Sequence, residues 1–346
     1  MRLGPENFSV IAKIKLLILF AAVAMLLTFT AGHLASNQDP TQNKTVDPKA
    51  WGSNHVGKPI PEYVTGDECL FCHRYDVGQT WQKNSHGVAI RRREDAPELV
   101  KMLDAQPALA GVAKQVEYFM GSRHRVRFLR ENGYGKFAIL TAQADLGEEG
   151  QAKPAARVID GDKPTWDKEK FAPRCAGCHT TAFDSKAMTF SAFGHDCYVC
   201  HGDVDVNHSK DTSLVLLSKK RRNDAKVITS LCAQCHLRES RSRSTGLPFP
   251  NTFIAGDNLF QDLEVDWAKA DDQKLNAGDR HVWRNVRDVA LYGNESINCL
   301  SCHQVHGSTS LKHRRILRAP ICSECHQNDG FKEIKRYVVH SSLCEY

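Results

Sequence analysis

Cys175-Ala176-Gly177-Cys178-His179-Thr180-Thr181 and, shortly after it, Cys197-Tyr198-Val199-Cys200-His201-Gly202 carry the pattern that organises this chain. Both contain the pentapeptide Cys-x-x-Cys-His. Four further copies stand at Cys69, Cys72 and His73; at Cys232, Cys235 and His236; at Cys299, Cys302 and His303; and at Cys322, Cys325 and His326. Twelve of the thirteen cysteines lie in these six copies, so cysteine usage has one dominant explanation. Two cysteines three residues apart fall about one helical turn from each other, which lets their sulfurs reach the two vinyl groups of one porphyrin as thioethers. The histidine on the adjoining turn reaches the iron as proximal axial ligand. Each copy therefore predicts covalent c-type haem attachment: six haem c groups with their iron, tied by the twelve cysteines and ligated by His73, His179, His201, His236, His303 and His326.

Paired cysteines also build zinc sites and, in exported proteins, disulfides. A zinc ribbon wants its two pairs at matched separations and does not require a histidine directly after each pair. Here the gaps between copies are irregular, and every pair is followed by histidine.

The N-terminus reads as an export segment. Arg2, Lys13 and Lys15 precede an uncharged run over 16–31, a basic start followed by an apolar stretch. Thr30-Ala31-Gly32 and Leu34-Ala35-Ser36 offer small residues without a clean Ala-x-Ala site, so the segment is either cleaved or kept as a membrane anchor. Residues 1–35 are thus expected to be signal or anchor and 36–61 a polar linker. Residues 62–346 are expected to form a hexahaem cytochrome c domain, with a first haem region at 62–122, a β-hairpin at 123–142 and a haem-rich region at 171–346. The fold class expected is mainly α and irregular: short helices packed around six covalent haems in one extended body, with a small β-hairpin insertion.

Lysine and arginine number 46 against 40 acidic residues, a formal net charge of +6. Mean hydropathy is −0.43, ordinary for a soluble module. Haem propionates offer internal partners for the basic clusters Arg91-Arg92-Arg93, Lys219-Lys220-Arg221-Arg222 and Lys312-His313-Arg314-Arg315. With an export segment present, a nucleic acid partner is not expected, whereas an acidic redox partner is compatible with such patches.

Between the first and second motifs, Val126 and Phe128 alternate with arginines ahead of Asn132-Gly133, which reads as a hairpin. Residues 95–118 read as helix interrupted at Pro97 and Pro107. The later motifs are linked by 22, 35, 67 and 23 residues, counted first cysteine to first cysteine. The two short links predict close contact of the second haem with the third and of the fifth with the sixth. A helix is expected at 281–292.

An iron with two strong axial ligands passes electrons, and one with an open position can transform a small molecule. Past the export segment there are three methionines, Met102, Met120 and Met188, and nine histidines outside the motifs. Bis-histidine ligation is therefore the default.

The chain resembles the multihaem cytochromes c that include the tetrahaem carrier of ammonia oxidation and larger nitrite- and tetrathionate-reductase relatives. The resemblance covers most of 60–345. Its marks are Trp81-Gln-Lys-Asn-Ser-His86, Cys175-Ala-Gly-Cys-His-Thr-Thr, Cys197-Tyr-Val-Cys-His-Gly with His208 seven residues past His201, Cys232-Ala-Gln-Cys-His followed by arginines, and Cys299-Leu-Ser-Cys-His-Gln-Val-His306-Gly. It implies that His86, His208, His281, His306 and His340 are distal ligands. The chain departs from the group at Gly202-Asp-Val-Asp, where Gly-Pro-Gly is usual, and at Cys344, which begins a motif that does not continue. One haem is left without an assigned distal ligand, with His55, His124, His195 and His313 as candidates. His195 is held two residues before its own attachment site, which argues for its facing a neighbouring ring or none.

Two functions follow as expectations. One is a periplasmic or otherwise extracytoplasmic electron relay along mostly bis-histidine haems, with a quinol-oxidising or periplasmic donor and other cytochromes as acceptors. The other is a multihaem oxidoreductase in which one open haem acts on nitrite, hydroxylamine or tetrathionate. The relay is preferred, which makes the chain a carrier rather than an enzyme and leaves no catalytic residue to name. Assembly into a homo-oligomer or filament through the surplus His55 is a narrower possibility.

Overall fold

The computed structural model describes residues 55–61, 66–121, 125–146, 155–202, 204–217, 224–275, 277–296 and 298–307. All of these belong to the compact unit Val46–Tyr346. The export segment and the sixth motif, with its expected haem-attaching Cys322 and Cys325 and proximal ligand His326, lie outside the described residues. So do His124, His313, His340, Cys344 and the basic clusters at 219–222 and 312–315. Among the described residues no helix is long and apolar enough to cross a membrane.

The segment between the first two motifs folds as a six-stranded antiparallel sheet. Its strands are β1 (Ile90–Arg92), β2 (Tyr118–Met120), β3 (Arg125–Glu131), β4 (Phe137–Asp145), β5 (Ala155–Val158) and β6 (Trp166–Asp167), in the order β1-β2-β3-β4-β5 with β6 also on β4. The expected hairpin is there as β3 and β4, but it is the centre of a larger sheet, which corrects the small insertion. A register shift between Arg127 and Leu129 marks a bulge in β3, and such an irregularity bends the strand and raises its local twist.

Strand residues alternate between two faces, and here both are covered. Phe119, Val126, Phe128, Leu140, Ala142 and Ala144 pack beneath helix α1 (Pro97–Asp104) through Leu99 and Leu103. Tyr118, Met120, Leu129, Phe137 and Ile139 pack on the other side against Phe171, Ala176 and Phe190, next to the second motif. Phe137 meets Tyr118, Phe171 and Phe190 with ring centroids 4.8–5.2 Å apart, a spacing at which tilted aromatic pairs attract. Residues 95–118 are only partly helical, which corrects the expected element. Pro97 starts α1 in its first turn, where its missing N–H costs nothing. Pro107 then opens a 3₁₀ turn, and by Tyr118 the chain is a strand.

The second core is helical. Helix α2 (Ala225–His236) is capped by Asp224, whose side chain accepts from the Lys226 and Val227 amides. It buries Ala225 and Ala233 near helix α3 (Ala277–Tyr292). On α3, Trp283, Val286 and Val289 recur every three residues, which gives one inward stripe. Its mate is the Leu259, Phe260 and Leu263 segment. Two-stranded ladders, β7 (Thr180–Thr181) with β8 (Ala192–Phe193) and β9 (Arg241–Ser242) with β10 (Leu263–Glu264), tie the connecting loops. The chain thus buries protein cores of its own besides whatever surface the haems would cover.

The tip of the β3–β4 hairpin depends on Gly135. Its φ is +64°, and a Cβ there would stand 2.6 Å from the Phe190 carbonyl oxygen. Gly135→Ala is expected to cost about 1–3 kcal/mol of stability, read from the chemical-denaturation midpoint. Gly133→Ala, at φ +97° but in open space, is expected to cost less, which separates collision from backbone strain.

Candidate haem sites

Every described motif sits on a helical turn. The first lies on helix α4 (Gly66–His73). The second spans a π-helical turn at Ala172–Ala176 and the single turn α5 (Gly177–His179). The third forms α6 (Cys197–His201), the fourth ends α2, and the fifth forms α7 (Cys299–Cys302) with His303 directly after it. Side-chain caps define where two of these turns begin. Asp196 accepts from the Tyr198 amide at the start of α6, and Asn298 and Ser301 form a reciprocal capping box on α7.

Asp196 also fixes two motifs against each other. Its Oδ2 accepts from the Gly66 amide at 2.7 Å, which joins the start of α4 to the start of α6. A Cβ on Gly66 would lie 2.7 Å from that same oxygen, so the approach needs glycine. The first motif consequently packs on the third, the second on the fourth, and the fourth on the fifth. Thiols meet along the same contacts: Cys69 with Cys197, Cys178 with Cys235, and Cys232 with Cys299. Motifs joined by longer links thus also pack together. The contact expected between the fifth and sixth haems, the latter on Cys322 and Cys325, falls outside the described residues. None of the nine cysteines from Cys69 to Cys299 whose side chains are described is joined to another in a disulfide.

Each histidine of the first four motifs faces one from elsewhere, and two of those outside the motifs, His86 and His195, also meet edge-on at 5.6 Å. His73 faces His208 with ring centroids 6.1 Å apart, His179 faces His195 at 6.4 Å, His201 faces His306 at 6.0 Å and His236 faces His86 at 6.2 Å. Two imidazoles on opposite sides of one metal, with bonds of about 2.0 Å, hold their centroids about 6.3 Å apart whatever the angle between the ring planes. The four spacings match that value.

Hydrogen bonds and burial prepare several of these rings as ligands. His73 Nδ1 donates to Asp76 at 2.9 Å, and His208 Nδ1 donates to the Asp205 carbonyl at 2.7 Å. Each leaves Nε2 as the nitrogen with a free lone pair, the usual tautomer of a metal-bound histidine. His73 in turn holds the Asp76 carboxyl below its usual range. Burial lowers His179 and His201 to about 4, so both stay neutral, the form that coordinates metal. Their buried Nδ1 atoms have no hydrogen-bond partner. His195 is more constrained: Nδ1 lies 3.2 Å from the His86 carbonyl and Nε2 lies 2.7 Å from the Cys178 carbonyl. A neutral imidazole has one N–H, so one of these contacts must open if the ring is to ligate. The donor sets would suit haem, since each of the first four motifs brings a cysteine pair and two imidazoles together.

The remaining sequence candidates divide. His281 is exposed on α3. His55 is held by the buried Asp257, with Nδ1 2.9 Å from its carboxylate, so this linker histidine serves to fasten 55–61 to the loop ahead of Asn258. The Arg91–Arg93 cluster is largely taken up by the sheet. Arg91 pairs with Glu98 at 2.6 Å, Arg92 stacks over Phe193 at 5.0 Å, and Arg93 donates to the Ala113 and Val116 carbonyls. A better-placed cation is Arg127. It lies on the sheet face that covers the second motif, near enough to Cys175 to interact electrostatically, and its Nε is buried without a partner. Alternation with Val126 and Phe128 points Arg127 away from one core, but the second covered face turns that direction inward.

Asp196→Ala is expected to cost about 1–3 kcal/mol, because two amides lose their acceptor. Hydrogen exchange should rise first in α4, with Asp196→Asn, which keeps one acceptor oxygen for the two amides, falling between Asp196→Ala and the unsubstituted chain. Equal exchange in α4 for Asp196→Ala and the unsubstituted chain would deny the tie between the two motifs.

Comparison with models of known protein families finds no match, and none is found among curated proteins. Among solved structures the chain is similar to an outer cell wall cytochrome, OcwA, at 22% identity over 59% of this chain and 45% of that one, with a TM-score of 0.39. It is also similar to an undecahaem cytochrome from the S-layer of Carboxydothermus ferrireducens, at 16% identity over 78% of this chain and 44% of the other, with a TM-score of 0.42. The chain spans less than half the length of either protein.

Proposed function

We propose that the chain is an exported multihaem c-type cytochrome that relays electrons, with bis-histidine coordination at most of its irons. One observation carries this reading: at each of the first four motifs the attached histidine faces a second imidazole at 6.0–6.4 Å. The pairs assign His208 to the first motif, His195 to the second, His306 to the third and His86 to the fourth. His281 and His340, distal ligands by the family resemblance, are left by elimination for the fifth and sixth motifs, with the sixth haem tied by Cys322 and Cys325.

Haem bound at these sites supplies a one-electron iron couple, and the protein supplies attachment, axial nitrogens, spacing and local field. Neutral buried imidazoles hold the irons in a medium where charge is costly, whereas Asp76 beside His73 adds negative charge at the first site. Among the described motifs, the first carries the most exposed residues. Phe71 and Tyr75 are 90% and 79% exposed there, which supports α4 as the place of exchange with a redox partner protein. A periplasmic or cell-surface setting agrees with the export segment, which either is removed or anchors the chain to the membrane. Nitrite, hydroxylamine or tetrathionate chemistry would need an iron lacking its second imidazole, and the ring pairs favour the relay.

Intact-mass measurement is expected to find six covalent haems, and electron paramagnetic resonance of the oxidised protein only low-spin ferric signals. His208→Ala and His195→Ala should each convert one haem per chain to high spin with attachment unchanged. A high-spin signal of one haem per unsubstituted chain that nitrite or hydroxylamine perturbs would replace the relay with the oxidoreductase.

A further inference from the structure

Asn84 is 1% exposed, lies outside every motif and joins two loops that are far apart in sequence. Its Oδ1 accepts from the His86 amide at 2.8 Å. Its Nδ2 donates to the Val305 carbonyl at 2.7 Å and to the Gly307 carbonyl. A carboxamide offers both acceptor and donor, and with one N–H and two carbonyls as partners only one orientation of the group satisfies all three. Val305 and Gly307 flank His306 on either side, so the peptide groups that bracket its imidazole are held by the same side chain that holds His86. Trp81 reinforces the junction, with its ring nearly parallel to His86 at 6.5 Å and edge-on to His306 at 6.4 Å. The two histidines face different motifs, His236 and His201 respectively.

We infer that Asn84 is a positioning residue that sets His86 and His306 as one unit, so that the second axial ligands of the third and fourth haems are placed, and lost, together. The inference rests on the ligand pairs proposed above. Trp81 supplies the packed surface between the rings, and Asn84 supplies the directional bonds that no apolar contact can give.

The test uses the full mature protein, with covalent haem counted by mass spectrometry and carbon monoxide binding to the reduced form counted by absorbance. His86→Ala and His306→Ala should each bind one more carbon monoxide per chain than the unsubstituted protein. Asn84→Ala should bind two more, with a matching loss of low-spin ferric signal and no loss of attached haem. Asn84→Asp keeps the acceptor for the His86 amide and loses both donors, so it should bind one more, at the iron of His306. Asn84→Ala that binds no additional carbon monoxide, or only one, would overturn the joint placement. If Asn84→Ala does not mature, Asn84→Asp decides the matter by the same count, and failure of both would make Asn84 a determinant of the fold and equally overturn its role as a positioning residue. Failure of the haem reading itself is distinct: the unsubstituted chain would then lack covalent haem, or the two histidine variants would expose no new iron.

Discussion

Two imidazoles serve one iron only when they stand on opposite sides of it with about 6.3 Å between ring centroids. That spacing must be held open by a chain whose other tendency is to bury and close. His73 and His208 meet it although 135 residues separate them, and His236 and His86 although 150 do. On the proposed ligation, several polar side chains would serve this requirement. Asp196 brings the helix of the first motif to that of the third, Asp224 starts the helix that ends in the fourth, and the capping box at Asn298 starts the fifth. Each is a short polar side chain that satisfies amides a helix start would otherwise leave without partners.

The six-stranded sheet answers a different demand. A chain that needed only to wrap porphyrins would have little use for the aromatic cluster of Tyr118, Phe137, Phe171 and Phe190. These residues make one side of the second motif a wall of protein and leave Arg127 as the polar group set into that wall. The first motif has no such cover, and its α4 helix carries Phe71 into solvent, with Tyr75 exposed just beyond it. The sites therefore differ in access and in dielectric, and burial disfavours added charge on iron at the covered ones.

The motifs were legible because their chemistry is written in consecutive residues. The hairpin was legible because β3 and β4 run to seven and nine residues, long enough for alternation to register. The strands around it were not, since β1 and β2 have three residues each and β6 has two, too short to carry a period. Residues 95–118 misled because Leu99 and Leu103 have helical spacing and the apolar residues continue beyond Pro107, where they feed a sheet instead. Family resemblance singled out His86, His208 and His306, yet nothing local says which motif each would face. His195 stands two residues before Cys197, yet its ring lies against His179 of the preceding motif. Asn84 gave no signal at all: a buried amide is recognised by its partners, and those in the fifth-motif loop lie more than two hundred residues away.

The way the paired histidines are distributed along the chain bears on how such a protein is made. A polypeptide exported N-terminus first presents Cys69, Cys72 and His73 long before His208, and Cys197, Cys200 and His201 long before His306. At these two sites the attachment machinery would meet an iron with one protein ligand, on a segment still without its mate. His236 is the reverse case, because His86 has already emerged when the fourth motif appears. On the proposed assignment, covalent attachment and axial completion are separate events in time. The thioether bonds would then hold each porphyrin in place through the interval in which folding has yet to deliver the second imidazole.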